Sequence, residues 1–131
     1  MTYLIDTDWL ISYLKGRRDA DELLGRLYTE GLAISVVTYG EALEGLADLP
    51  NSAAQISQFE SFLGTLNVLP VDVEIGRRYA AIRRELRRLG QLLADNDLWI
   101  GATALAHDLS LVTRDRHFER VPGLRLYQMV R

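Results

Sequence analysis

Short apolar runs alternate with longer helical segments along this chain, and this alternation restricts its possible folds more than any other feature. The first run, residues 3–5, stops at Asp6, and the second covers residues 32–37. Further runs predict strands over residues 67–71, 109–113 and 124–127. Because buried strands of a parallel sheet read as nearly continuous apolar runs, the pattern favours a sheet that is covered on both faces.

The intervals between the runs carry apolar residues at helical spacing, and Thr7 or Asp8 can cap the first helix. The predicted helices cover about residues 7–15, 19–28, 38–46, 53–66, 73–89 and 95–108. Strands and helices in this order predict an α/β fold, a three-layer α/β/α sandwich with a mostly parallel central sheet. The length suits one domain, so residues 1–131 are interpreted as a single domain.

The composition limits the kind of site that the chain can carry. It has no cysteine and only two histidines, His107 and His117, so a thiolate or histidine-rich metal site is not expected. A bound metal would need oxygen ligands, which favours Mg²⁺ or Mn²⁺. The net charge of −3 argues against a protein that binds nucleic acid by bulk charge alone. The N-terminal residues lack a signal-peptide pattern and no segment has the length of a membrane span, so a cytoplasmic location is expected.

Four acidic residues lie near the predicted strand ends. Asp6 follows the first strand and Asp115 follows the fourth, while Glu41 lies one helical turn beyond the second. Asp97 lies in the first turn of the helix that precedes the fourth strand. Since parallel sheets bind ligands beyond the carboxyl ends of their strands, we expect these acids to meet. Two carboxylates ~4 Å apart repel by roughly 4 kcal/mol at an effective dielectric near 20, so we expect a raised carboxyl pKa and a bound cation such as Mg²⁺.

Each of these acids also has a purely structural interpretation. Asp6 and Asp8 can cap the first helix, and Thr38 with Glu41 matches a capping box. Asp97 suits a helix start, as Asp95 does, and Asp115 suits a turn. The shared placement of all four at strand ends favours the common site.

Four segments of the chain resemble a known family in their residues, their order and their spacing. They are Leu4-Ile5-Asp6-Thr7-Asp8, Thr38-Tyr39-Gly40-Glu41-Ala42, Asn96-Asp97-Leu98-Trp99-Ile100-Gly101-Ala102 and Leu111-Val112-Thr113-Arg114-Asp115-Arg116-His117-Phe118. Together they resemble the PIN-domain ribonucleases, above all the VapC-type toxins of bacterial toxin–antitoxin pairs. The chain departs from the common pattern at Asp8, where the family often has Asn, and at Gly101, where it often has Ala.

The resemblance implies a PIN-like fold and a catalytic, metal-binding set made of Asp6, Glu41, Asp97 and Asp115. Thr7 and Thr113 would be supporting hydroxyls. The implied cofactor is Mg²⁺, with Mn²⁺ as a possible substitute, and the implied reaction is endonucleolytic hydrolysis of RNA that leaves a 5′-phosphate. The implied partners are a small VapB-like antitoxin and a second copy of the chain in a homodimer.

Two alternatives stay open for the function. The chain could be a non-catalytic binding module of the same fold within a regulatory complex. It could also be a phosphatase, because Asp6-Thr7-Asp8 is similar to the nucleophile motif of haloacid-dehalogenase-type phosphatases. That chemistry needs a lysine late in the chain, whereas Lys15 is the only lysine.

One predicted helix, residues 73–89, is rich in arginine. Arg77, Arg84 and Arg88 fall along one stripe of it, with Glu74 and Glu85 close by. The stripe is compatible with contact to an RNA backbone or an acidic partner, and equally with a solvated helix face.

Overall fold

Four parallel strands form the central sheet in the computed structural model, which describes residues 1–128. They are β1 (Tyr3–Ile5), β2 (Leu32–Ser35), β3 (Asn67–Leu69) and β4 (Ser110–Val112). The order across the sheet is β3-β2-β1-β4, and Tyr3 of β1 pairs with Leu32 on one side and with Ser110 on the other. Since every named pairing is parallel, the carboxyl ends of the four strands share one edge.

Helices connect the strands and cover both faces of the sheet. They are α1 (Thr7–Leu14), α2 (Arg18–Leu27), α3 (Val36–Ala47), α4 (Ser52–Leu63), α5 (Val73–Arg88) and α6 (Asp95–Ala106). Two short 3₁₀ helices, Tyr28–Glu30 and Arg116–Arg120, follow α2 and β4. No helix of the described residues 1–128 is long and apolar enough to cross a membrane.

Successive strand residues face opposite sides of the sheet, so the core has two halves. On one side Leu4 and Leu111 pack with α5 and α6. On the other side Ile5 and Val112 pack with α1 to α4, where Phe59 of α4 is fully buried. The predicted three-layer α/β/α sandwich with a parallel sheet is confirmed.

At two places the residue at the end of a strand caps the helix that follows it, and α3 begins earlier than the sequence predicted. The β2 strand ends at Ser35, whose hydroxyl accepts a hydrogen bond from the Val37 N–H at 3.0 Å and caps α3. The expected strand residues Val36 and Val37 are therefore the first residues of α3, and Thr38 does not cap it. Likewise Asp6, rather than Thr7 or Asp8, is the N-cap of α1. In both cases the residue at the strand end supplies the cap because strand and helix follow without a loop.

The predicted strand over residues 124–127 is wrong. This segment makes a single isolated parallel bridge, between Leu126 and Leu111 of β4. The Leu111 N–H donates to the Arg125 carbonyl at 2.9 Å, and the Tyr127 N–H donates to the Leu111 carbonyl at 2.9 Å. Within the described residues these two bonds are the pairing between this segment and β4.

A glycine connects the start of β2 to the N-terminus. Gly31 has a φ of 92°, which L-residues rarely adopt, and a Cβ there would lie 2.9 Å from the Met1 Cα. Its carbonyl accepts from the Thr2 and Tyr3 N–H groups at 3.0 and 3.1 Å. The position requires glycine for both its conformation and its space.

Candidate active site

All four predicted acids lie at the carboxyl edge of the sheet, and each is placed there by the start of a helix. Asp6 follows β1 and caps α1, whereas Glu41 lies in the second turn of α3. Asp97 lies in the first turn of α6. Asp115 follows β4 and caps the 3₁₀ helix by accepting from the His117 N–H at 2.8 Å. The edge therefore collects carboxylates from four separate parts of the chain.

Asp6 is the buried member of the set, with 6% of its surface exposed. It accepts hydrogen bonds from the Thr7 N–H at 2.8 Å and from the Thr113 hydroxyl at 2.6 Å. Both bonds favour the ionised form, yet burial outweighs them and raises the pKa of Asp6 from 3.8 to about 6. The negative charges of Asp97 and Asp8 act in the same direction. The sequence predicted a raised carboxyl pKa from mutual repulsion, but burial is the larger cause.

Glu41 is held in place by groups from two other helices. The Thr7 hydroxyl donates to its Oε1 at 2.7 Å, and Asn96 of α6 donates to its Oε2 at 3.3 Å. The Thr7 hydroxyl also lies 3.1 Å from that of Thr38. The capping-box interpretation of Glu41 is wrong, since α3 already begins at Val36. The sequence alone predicted no role for Asn96, whose only signal is its place directly before Asp97.

The charges of the other acids act on Asp97. Its pKa is raised first by burial and then by the negative charges of Asp115, Glu41 and Asp8, in that order. His117 acts in the opposite direction. Asp97 in turn contributes to the raised pKa of Asp6. The acids are therefore close enough to interact through their charges.

Thr113 links two of the acids directly. Its hydroxyl donates to Asp6 and accepts from the Asp115 N–H at 3.0 Å. Next to it, the Nδ1 of His117 lies 3.3 Å from Asp115 Oδ1, on a side chain that is 65% exposed. The two predicted supporting hydroxyls, Thr7 and Thr113, thus both contact predicted acids.

Comparison with known proteins identifies the family to which this fold belongs. The sequence model of the PIN domain matches residues 3–124. The chain belongs to the PIN domain family. The ribonuclease VapC1 of Methanocaldococcus jannaschii is 34% identical over 127 residues, which cover 95% of this chain and 85% of that protein.

Solved structures of relatives share the fold of this PIN domain. VapBC2 from Rickettsia felis, bound to a DNA fragment from its promoter, superimposes with a TM-score of 0.89 at 26% identity. The match covers 97% of this chain and 98% of that one. DNA-bound VapBC from Salmonella typhimurium gives a TM-score of 0.88 at 28% identity, with 97% of each chain covered.

The acids of the PIN domain do not form a closed set of metal ligands. Within residues 1–128, no three acidic, histidine or cysteine side chains are grouped tightly enough to hold an ion between them. The donors nevertheless fit Mg²⁺, which takes one or two protein carboxylates and keeps several of its waters. The negative charges of three carboxylates raise the pKa of Asp97, whereas one histidine lowers it. A cation bound at this edge would reduce the repulsion between the carboxylates.

Three residues of the PIN domain that lie close to the four acids in sequence are placed differently from them. Asp8 is exposed in the first turn of α1 and does not cap it. Asp95 joins α6 to α5, because the Tyr79 hydroxyl donates to it at 2.9 Å. Gly101 is buried, and a Cβ there would meet only ordinary contacts of 3.8 Å or more. An alanine at this position would therefore fit without a clash.

The only lysine lies away from the acids. Lys15 is the C-cap of α1, whereas Asp6 is its N-cap, so the length of an eight-residue helix separates them. That length is about 12 Å. The phosphatase alternative therefore lacks the lysine that it needs near Asp6.

Proposed function

We propose that this PIN domain is a metal-dependent endoribonuclease that hydrolyses RNA phosphodiester bonds. The observation that carries the proposal is the set of four acids, from four separate elements, that interact through their charges around Asp97. The family match and the ribonuclease names of the relatives agree with this chemistry.

In the proposed site Asp6, Glu41, Asp97 and Asp115 would hold Mg²⁺, for which Mn²⁺ can substitute, some of them directly and the others through the waters that the ion keeps. The bound metal supplies activation of water and neutralisation of charge at the phosphodiester. The chain's own residues orient the carboxylates: Thr113 directs Asp6, while Thr7 and Asn96 direct Glu41. Because these donors leave other lone pairs of each carboxylate free, they orient the acids without blocking them.

A cleft beside the acids offers a place for the RNA. It has a volume of about 400 Å³, and the residues that line it include Thr113, Asp115, Leu126 and Tyr127. Arg116 also lines it, with a side chain that is 82% exposed and lies 3.7 Å from Glu119. A polar cleft with an aromatic ring and a cation suits a nucleotide next to the scissile phosphate.

The arginine-rich helix α5 supports RNA binding less than its sequence suggested. Arg77 and Arg78 pair with Glu74, and Arg88 pairs with Glu85. These ion pairs within the helix neutralise much of the predicted stripe, so a solvated face explains it better.

We further propose that the protein is the toxin of a toxin–antitoxin pair, binds a small VapB-like antitoxin and forms a homodimer. The similarity to chains of VapBC complexes from Rickettsia felis and Salmonella typhimurium supports the antitoxin partner, and the homodimer is what the resemblance to VapC-type toxins implies. The cytoplasmic location stays a prediction. Expression of the chain alone should slow growth, and co-expression of a neighbouring small open reading frame should relieve it. Harmless expression of a protein that is active in vitro would contradict the toxin role.

The nuclease proposal is tested by incubating the purified protein with total RNA in Mg²⁺, in Mn²⁺ and in chelator. We expect metal-dependent internal cuts that leave 5′-phosphates, and none with the Asp97→Asn variant. The alternative of a non-catalytic binding module predicts a folded protein that binds its partner but cuts no RNA with either metal.

A further inference from the structure

Arg114 is the residue between Thr113 and Asp115, but its side chain contacts a different part of the molecule. Its guanidinium carbon lies 3.7 Å from the centroid of the Trp9 ring. Its Nη1 donates to the Ser12 hydroxyl at 3.2 Å. These contacts anchor the segment after β4 to the first helix, about a hundred residues earlier in the chain.

A second helix completes the anchor. The Nη2 of Arg114 donates to Asp19 Oδ2 of α2 at 2.8 Å. This pairing also balances the charge of the guanidinium with an acid outside the candidate site. The guanidinium therefore does not compete with a metal for the four carboxylates. Trp9, which is 6% exposed, provides the flat face on which the guanidinium rests. The planar guanidinium of arginine can stack on an aromatic ring and donate hydrogen bonds in two directions at once, which the ammonium group of lysine cannot do.

The residues on either side of Arg114 serve the acidic edge. Thr113 donates to Asp6 and accepts from the N–H of Asp115, so one hydroxyl connects the two acids. Because Arg114 lies between them in the chain, a guanidinium held by α1 and α2 limits the movement of the backbone on both sides of it. A loss of the Arg114 contacts would free the segment that places Thr113 and Asp115.

We propose that Arg114 is a positioning residue: its contacts with Trp9, Ser12 and Asp19 hold Thr113 and Asp115 in the arrangement that binds the metal. This inference rests on the proposed metal-dependent function. In this role Arg114 touches no metal, and although it also lines the cleft proposed for RNA, Mg²⁺ binding measured without RNA reports only the positioning role. Arg114 acts through the two residues beside it.

The test compares Mg²⁺ binding by the wild type and by Arg114→Met, which keeps a long apolar side chain but removes the fork. Calorimetry is performed on each protein at a temperature where it is folded, as checked by circular dichroism. We expect Mg²⁺ affinity to fall about ten- to a hundredfold, the usual cost of losing a group that orients metal ligands. Excess Mg²⁺ should restore much of the kcat for RNA. A merely structural role would lower the melting temperature and leave the Mg²⁺ affinity unchanged, and that result overturns the proposal.

Arg18→Met is the matched control. Arg18 also pairs with an acid on α2, Glu22 at 3.1 Å, but its side chain is 92% exposed. This variant should bind Mg²⁺ as the wild type does. An equal loss of affinity in Arg18→Met would show that the effect does not depend on the contacts of Arg114 and would overturn the positioning role.

Two milder variants keep the test decisive if Arg114→Met fails to fold. Asp19→Asn should weaken Mg²⁺ binding about two- to fivefold, the scale of one exposed ion pair. Arg114→Lys should lie between the wild type and the loss expected for methionine. Unchanged affinity in both overturns the proposal. If the wild type binds Mg²⁺ but cuts no RNA, the nuclease function fails while these variants still decide the role of Arg114. If the wild type binds no Mg²⁺, both proposals fail.

Discussion

Replacement of Asp6 by asparagine should stabilise the metal-free protein at neutral pH. Asp6 is 6% exposed, and burial raises its pKa from 3.8 to about 6. An acid whose folded pKa is raised favours folding most below its unfolded pKa, and this contribution is lost as the pH rises through the folded pKa. Above about pH 6 the native state therefore carries an ionised carboxylate at a cost to its stability.

The magnitude follows from the two pKa values. Each tenfold change in an acid dissociation constant corresponds to about 1.4 kcal/mol, so a rise from 3.8 to about 6 costs about 3 kcal/mol at neutral pH. Asparagine can still accept a hydrogen bond from the Thr7 N–H. It loses the charge-assisted hydrogen bond that the Thr113 hydroxyl donates to the Asp6 carboxylate, and this loss costs about 1 kcal/mol. The variant should gain about 2 kcal/mol at about pH 7.5, and almost nothing at about pH 4.5.

The assay is equilibrium unfolding of both proteins in chelator, by denaturant and by heat, at the two pH values. The gain at neutral pH should appear as several degrees in Tm. Asp48→Asn, which changes an exposed acid at the end of α3, is the control and should show the same small difference at both pH values. If Asp6→Asn is less stable than the wild type at both pH values, or differs from it equally at both, burial of an ionised Asp6 is not what limits the stability.

Three further changes test other parts of the structure. Asp97→Asn should reduce RNA cleavage by orders of magnitude and remove the Mg²⁺-induced rise in Tm, which for the wild type corresponds to about 2.7 kcal/mol at a hundredfold excess over Kd; a folded variant that cuts RNA normally would exclude Asp97 from the site. Gly31→Ala should cost about 1–3 kcal/mol in denaturant unfolding, because φ is 92° and the new Cβ would lie 2.9 Å from the Met1 Cα. Phe59→Ala should cost about 3–5 kcal/mol in the same measurement, because the fully buried ring would leave a cavity in the core; a loss below 1 kcal/mol would show that the core refills.

Much of the architecture was predictable because it depends on local pattern. Apolar runs and helical periodicity identified four strands and six helices, and their alternation predicted the parallel order of the sheet. A parallel sheet brings all of its strand ends to one edge, so the sequence positions of Asp6 and Asp115 were enough to predict that edge. The same reasoning placed Glu41 and Asp97 there, with no knowledge of any side-chain contact.

The details that depend on residues distant in sequence were decided only by the tertiary structure. Ser35 replaced Thr38 as a cap because β2 enters α3 directly, and the expected fifth strand is one bridge at Leu126, which lies beside Leu111 of β4. Burial raises the pKa of Asp6 more than repulsion does, and burial is a property of the packed core. Sequence patterns record the preferences of neighbouring residues, whereas the hydrogen bond of Asn96 to Glu41 and the stacking of Arg114 on Trp9 exist only because folding brings separate segments together.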